Sequence, residues 1–157
     1  MSLGDGGFPL VIAPSNGSVN IGSTQQYAAT YSGTDYTNDS RTIWAVCDML
    51  AGHTTTASTY ATITNTPGAK GLVTGVSERS TYVSASVVVG AFVIGYGETP
   101  LIVTGPTLIV VTPANVSVEK GTTQQFMATG TYPDSTTRDI TQSVIWTSSD
   151  HAVATIT

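Results

Sequence analysis

The sequence has little charge and a single cysteine. Charged residues make up 10% of its 157 positions, and the net charge is −5 with only five lysines and arginines. So few basic groups exclude the electrostatic attraction that drives nucleic-acid binding, and they argue against docking on anionic lipid. Cys47 has no second cysteine with which to form a disulfide in the chain. Its apolar neighbours predict a small core residue rather than a reactive thiol.

Motifs for catalysis and metal binding are also scarce. His53 and His151 stand among Thr, Ser and Asp residues, which is typical of solvated loops, whereas a metal needs three or four convergent ligands. There is no Gly-x-Ser-x-Gly elbow and no glycine-rich phosphate loop. We therefore expect no enzyme activity, cofactor or metal. Four aspartates are expected to cap turns, with a calcium site as the alternative: Asp35, Asp39, Asp134 and Asp139.

Val, Ile and Thr are abundant, and these β-branched residues favour strands over helices. An all-β fold follows. The longest apolar run, Val87 to Ile94, is too short for a membrane helix and predicts a buried strand, so no membrane insertion is expected.

One phrase occurs twice in the chain. Gly22-Ser-Thr-Gln-Gln-Tyr-Ala-Ala-Thr30 returns 99 positions later as Gly121-Thr-Thr-Gln-Gln-Phe-Met-Ala-Thr129, and the same shift carries Pro14 onto Pro113. A period of this size is that of one small β-sandwich. The repeat predicts an N-terminal extension (1–9), a first sandwich (10–104), a linker (105–107) and a second, partial sandwich (108–157).

Each copy has one tryptophan in an apolar stretch, Thr42-Ile-Trp44 and Val144-Ile-Trp146. The tryptophans and the aromatic residues of the repeated phrase are expected to anchor the cores, rather than to form an exposed sugar platform. The predicted core residues are Trp44, Trp146, Tyr27, Phe126, Ile43 and Ile145.

The first copy carries a nine-residue insertion after Trp44, which is expected to form an end loop, where binding residues concentrate. The candidate loop interface consists of Tyr31, Tyr36, His53 and Tyr60.

The strings Leu108–Pro113, Lys120–Phe126, Val144–Asp150 and Val153–Ile156 resemble bacterial immunoglobulin-like domains of group 2. Asn65–Val76 of the first copy is similar to the middle of the same domains. Such domains occur in intimin- and invasin-type adhesins, other bacterial surface proteins and phage virion proteins. The resemblance implies a Greek-key sandwich that needs no disulfide, has no catalytic residues and serves as a spacer, stalk or adhesion module.

The first function hypothesis is therefore a structural or adhesion module of an extracellular bacterial surface protein, whose partners are other protein chains or a cell-surface ligand. The second is a virion tail or capsid decoration protein, which stays open because residues 1–8 lack the pattern of a secretory leader. The third is a carbohydrate-binding module of a secreted enzyme. Copies of the chain could also associate through the incomplete second sandwich.

Overall fold

The computed structural model describes residues 7–50 and 54–157, and every regular element in these ranges is a β-strand. The all-β prediction is confirmed. The chain divides into two compact units, unit 1 and unit 2, between Gly105 and Pro106. The strands are β1 (Phe8–Pro9), β2 (Val11–Ala13), β3 (Gly17–Asn20), β4 (Thr24–Gln26), β5 (Ala28–Tyr31), β6 (Thr34–Asp35), β7 (Thr42–Leu50), β8 (Thr54–Ala57), β9 (Ala61–Ile63), β10 (Leu72–Gly75), β11 (Arg79–Val89), β12 (Phe92–Thr104), β13 (Leu108–Thr112), β14 (Met127–Thr131) and β15 (Thr137–Asp139).

Unit 1 is a sandwich with one continuous core. Its main sheet has the order β1-β12-β11-β7-β8, and β3 also pairs with β12. Two three-stranded sheets, β2-β5-β6 and β4-β10-β9, form the other layer. Successive side chains of a strand point to opposite faces, so every second residue enters the space between the layers. The core draws on all three sheets and includes Ile12, Tyr27, Trp44, Val73, Val83 and Leu101.

The first segment of the chain alternates between the two layers. β1 lies parallel to β12, β2 pairs antiparallel with β5 in the other layer, and β3 returns to lie parallel to β12. β2 ends at Ala13, directly before Pro14, and β13 ends at Thr112, directly before Pro113. At both ends proline, which lacks an N–H donor, terminates the strand.

The apolar run Val87–Ile94 is the turn of the β11–β12 hairpin, and not the single buried strand that the sequence predicts. Gly90 has a φ of 61°, which side-chain-bearing residues rarely adopt, and this allows the chain to reverse there. Phe92 is consequently 73% exposed at the hairpin tip.

The insertion of the first copy also differs from its prediction, because most of it extends the main sheet instead of forming a loop. β7 continues to Leu50, and β8 pairs back along it from Thr54 to Ala57. His53 of the predicted loop interface lies outside the described residues.

The prediction that Ile43 belongs to the core is wrong. Its side chain is 54% exposed, whereas the neighbouring Trp44 is buried. Adjacent residues of a strand face opposite sides of the sheet, so the indole and the isoleucine cannot both point inward. Pairing between β7 and β11 places Ile43 opposite Ser86, on the outer face.

Unit 2 consists of the single antiparallel sheet β13-β14-β15. Residues 106–157 contain no second layer, so Phe126 and Trp146 are only half-buried and Ile145 is 94% exposed. Ile145 thus departs from the predicted core. The apolar stretch Val144–Trp146 forms no strand, since a strand needs a neighbouring segment for its backbone hydrogen bonds.

Candidate functional site

The buried tryptophan of unit 1 belongs to a hydrogen-bond network that joins three segments. The Trp44 Nε1–H donates to the carbonyl oxygen of Thr37 at 3.1 Å. The Thr37 hydroxyl accepts the Ala29 N–H at 3.0 Å, and the Asp35 carboxylate accepts the Thr37 N–H at 2.7 Å. Thr37 therefore fixes the end of β6 to both β5 and β7.

Unit 2 repeats this network bond for bond. Trp146 Nε1–H donates to the carbonyl of Thr141 at 3.0 Å, and the Thr141 hydroxyl accepts the Ala128 N–H at 2.9 Å. Asp139 accepts the Thr141 N–H at 2.9 Å. Neither threonine stands out in the sequence, although each follows an aspartate by two positions and precedes the tryptophan. Because the preceding loops differ in length, the threonines are 104 positions apart. They therefore do not align when the sequence is shifted by the 99 residues of the repeat.

Positive φ angles recur at corresponding positions in and before the repeated phrase. Gly22 and Gly121 have φ values of 74° and 87°, and Asn16 and Asn115 have 53° and 54°. The second glutamine of each phrase donates its side-chain N–H to the backbone carbonyl of the residue that follows it. The distance is 2.7 Å for Gln26 and 2.9 Å for Gln125. These local matches accompany the repeat of the phrase in the sequence.

A buried lysine, also missed by the sequence analysis, ties the loop before β7 to the start of β10. The Lys70 side chain is 6% exposed, and its Nζ donates to the carbonyls of Asp39 and Thr42 at 2.9 and 2.6 Å. The Lys70 carbonyl accepts from the Gln26 side chain at 2.8 Å. Two carbonyl partners compensate part of the cost of burying the ammonium group, so its role is to hold the fold together.

Cys47 is buried as predicted, but it lies on the outer face of the main sheet and not in the core. It stands opposite Tyr82, and its thiol contacts the Ser84 hydroxyl. Burial raises the pKa of the Cys47 thiol, and burial together with the bond to Glu98 raises that of Tyr96. Both groups stay protonated at neutral pH, which is the opposite of what a nucleophile or a general base requires.

The residues of the predicted loop interface do not converge on one surface. Tyr31 stacks on Phe8 with ring centroids 4.6 Å apart, and Tyr36 lies 5.4 Å from the same ring. Tyr60 instead packs beneath the Arg79 guanidinium, 4.9 Å from its ring centroid. Phe8 and Arg79 pair with Gly95 and Val103 of β12, so the two aromatic sites are roughly 25 Å apart at opposite ends of unit 1.

The four aspartates cap turns, as predicted. Each carboxylate accepts the N–H of the residue two positions later: Asp35 from Thr37, Asp39 from Arg41, Asp134 from Thr136 and Asp139 from Thr141. Hydrogen bonds from the Arg41 side chain and backbone lower the pKa of Asp39 to about 2.

Other chemistry finds little support in residues 7–50 and 54–157. No cluster of three or more His, Cys, Asp and Glu side chains there could hold a metal ion. The described ranges also contain no helix with the length and apolarity needed to cross a bilayer. A shallow depression of about 410 Å³ lies in unit 2 between Phe126, Met127 and Gln142. It occupies the uncovered face of the sheet and contains no convergent set of charged groups.

Comparison with known proteins gives two findings. Residues 107–157 match the family described as bacterial Ig-like domain (group 2). Ice-binding protein 1 of Shewanella frigidimarina (strain NCIMB 400) is 37% identical over 154 residues, which cover 94% of this chain. The chain spans 16% of the length of that relative. The chain thus has an all-β, Ig-like sandwich fold, and its residues 107–157 are similar in sequence to the bacterial Ig-like domains of group 2.

Proposed function

We propose that this chain is a non-enzymatic spacer segment of an extracellular bacterial surface protein, made of Ig-like modules in series that hold a binding region away from the cell. The observation that carries the proposal is the recurrence of one hydrogen-bond network around Trp44 and Trp146. In this proposal residues 10–104 and 108–157 are successive modules joined by residues 105–107.

The geometry of unit 1 suits a spacer. β12 runs the length of the sandwich, from Phe92 at the end where the chain enters to Thr104 at the end where it leaves. Thirteen residues of strand extend about 43 Å. A module whose entry and exit lie at opposite ends adds nearly its whole length to the reach of the protein.

The charged and polar side chains support the same proposal. Lys70 and the capping aspartates are engaged with backbone groups, and the buried thiol and phenol have raised pKa values. With 10% charged residues, the chain offers few sites for unspecific ionic contacts. The carbohydrate-binding role gains no comparable support, because Tyr31, Tyr36 and Tyr60 form no common platform.

The proposal is tested by labelling intact bacteria that carry the native gene with an antibody raised against the 157-residue chain. We expect the antibody to label intact cells and the label to disappear after mild surface proteolysis. Labelling only after lysis, or only on phage particles, would overturn the surface assignment.

The name of the relative says that it binds ice, and we propose that this segment supports such a function without contacting ice itself. In an ice-partition assay, the 157-residue chain is expected to remain in the liquid. Three threonines form a row across three strands, with Thr24 and Thr62 exposed on either side of the half-buried Thr74. Incorporation into ice that is lost on Thr74→Tyr would contradict the spacer role and assign ice contact to this row.

A further inference from the structure

We propose that unit 1 bears tension along its long axis, and that the pairing of β1 and β3 with β12 resists its forced unfolding. The biological purpose of this property rests on the proposed spacer function. The first strands of the unit lie directly beside its last strand: Phe8 and Pro9 pair with Gly95 and Tyr96, and Gly17–Asn20 pair with Leu101–Thr104.

The direction of these strands determines how they respond to force. Both pairings are parallel, so the beginning of β1 and the end of β12 lie at opposite ends of the sandwich. Pulling the two termini apart slides the strands past each other along their length. The bonds that cross between them are then loaded together. In an antiparallel pair the two termini would leave from the same end, and the bonds would break one after another.

Hydrogen bonds join the first strands to β12 at both ends of this contact. The Leu10 N–H donates to the Tyr96 carbonyl at 2.8 Å, and the Ile21 N–H donates to the Thr104 carbonyl at 3.0 Å. Side chains add two bonds between these points, from the Asn16 N–H to the Thr99 hydroxyl at 3.0 Å and from the Thr104 hydroxyl to Asn20 at 2.7 Å.

Close packing protects the same contact. A Cβ atom on Gly97 would lie 2.3 Å from the Leu10 carbonyl oxygen, and one on Gly95 would lie 2.5 Å from the Phe8 ring. The two glycines therefore let the first strand approach β12 more closely than any larger residue would. Leu10, Val19, Leu101 and Val103 are buried beside the bonds, so water has little access to them before the strands separate.

The test is single-molecule pulling of the full 157-residue chain in two directions. The first direction places handles before Met1 and after Thr157. The second places them before Met1 and on Ala91→Cys at the hairpin tip, in a Cys47→Ala background that leaves one thiol. Residue 91 lies at the entry end of unit 1, so the second pull peels β1 away from β12 instead of shearing the pair. Unfolding of unit 1 is recognised by the gain in length, about 300 Å when residues 8–104 are extended between the termini and about 280 Å when residues 8–91 are extended from the tip.

We expect the rupture force of unit 1 to be at least twofold higher between the termini than from the tip. Two proline variants provide a matched pair. Ile21→Pro removes an N–H that bonds to β12, whereas the N–H of Ser18 faces away from β12, since N–H groups alternate along a strand. Ile21→Pro should lower the terminal force to the tip value, and Ser18→Pro should retain at least three quarters of the wild-type force.

Urea unfolding of both variants separates mechanical from equilibrium effects, because forced unfolding follows the unfolding rate along the pulling direction. Equal rupture forces in the two directions for the wild-type fold would overturn the proposal, and this comparison requires no change in the paired strands. If the directional difference holds but the antibody labels no intact cells, the mechanical inference stands and the surface role falls. If the cells are labelled and the forces are equal, the spacer holds the tip without this resistance.

Discussion

The carbonyl oxygen of Thr37 accepts the indole N–H of Trp44 at 3.1 Å, while the hydroxyl of the same threonine accepts the N–H of Ala29. One threonine thus satisfies polar groups of two strands that belong to different layers of unit 1. The same residue type makes the same bonds in unit 2, where the core is half open. The two sites therefore allow the contribution of this network to be measured in a closed and in an open setting.

Thr37→Val should destabilise unit 1 by about 1–3 kcal/mol, because valine keeps the shape but leaves the buried Ala29 N–H without an acceptor. Urea unfolding and hydrogen exchange at the Ala29 amide measure the effect. Thr141→Val is the matched control, and its smaller burial should hold the loss below about 1 kcal/mol, since water can reach the Ala128 N–H. Equal losses at both positions would contradict this role of burial.

Gly71→Ala should destabilise unit 1 by about 3 kcal/mol or more. Gly71 has a φ of 81°, and a Cβ atom there would lie 2.6 Å from the Tyr27 carbonyl oxygen and 3.1 Å from the Trp44 indole. Gly68 has nearly the same φ, 82°, with no atom within 4 Å of its Cβ position. Gly68→Ala should therefore cost only the backbone strain, about 1 kcal/mol. Thermal unfolding of both variants checks the difference, which would vanish if backbone strain alone were responsible.

Tyr27→Phe should leave the unfolding free energy at pH 7 unchanged to within about 1 kcal/mol, because the Tyr27 hydroxyl is buried and makes no hydrogen bond among the described residues. Burial raises the pKa of Tyr27 from 10.0 to about 12. The unfolded tyrosine therefore ionises first, and wild-type stability should fall as the pH rises from 10 towards 12, by up to about 1.4 kcal/mol per pH unit.

Urea titrations at pH 9, 10 and 11 should show a shallower decline for Tyr27→Phe than for the wild type. Burial also raises the pKa of Tyr96, so the stability of the variant should still fall in part as the pH rises. Identical slopes for the two proteins would show that Tyr27 ionises as easily in the folded chain as in the unfolded one. Phe126 occupies the matching position of unit 2, where the network forms without a phenol.

Arg41→Gln should raise the pKa of Asp39 from about 2 towards its ordinary value, because the largest cause of the depression is the side-chain hydrogen bond from Arg41. The pair contributes stability above pH 3.8, and this contribution is lost as the pH falls through 2. Carboxyl-detected NMR titration measures the change. Asp35, whose lowered pKa depends on Thr37, is the internal control and should not move.

Much of the fold could be predicted from residue patterns. The abundance of β-branched residues predicted the all-β class, prolines marked the ends of β2 and β13, and aspartates marked four turns. These features are local, since each depends on the geometry of a few consecutive residues. Strand propensity alone does not make a strand where no partner is present. Val144–Trp146 has β-branched and aromatic residues, but unit 2 provides no neighbouring strand with which it could pair.

The side-chain arrangement was less accessible from the sequence. Adjacent residues of β7 point in opposite directions, so only one of Ile43 and Trp44 can face the core. Because both are apolar, the sequence does not show which of them does. Thr37 and Lys70 were missed because their partners are distant in sequence or are backbone carbonyls, which leave no residue pattern. The aromatic residues of the predicted loop interface lie at opposite ends of β12. The sequence alone does not show which end of the sandwich each loop reaches.

Thr37 follows Ala29 by eight positions, whereas Thr141 follows Ala128 by thirteen, and yet the bonds that the two threonine hydroxyls accept differ by only 0.1 Å. The five additional residues of the second connection are absorbed at the surface without disturbing the tryptophan beneath. This connection is therefore a place where evolution, or a protein engineer, can graft a foreign recognition peptide onto the scaffold at little cost to folding.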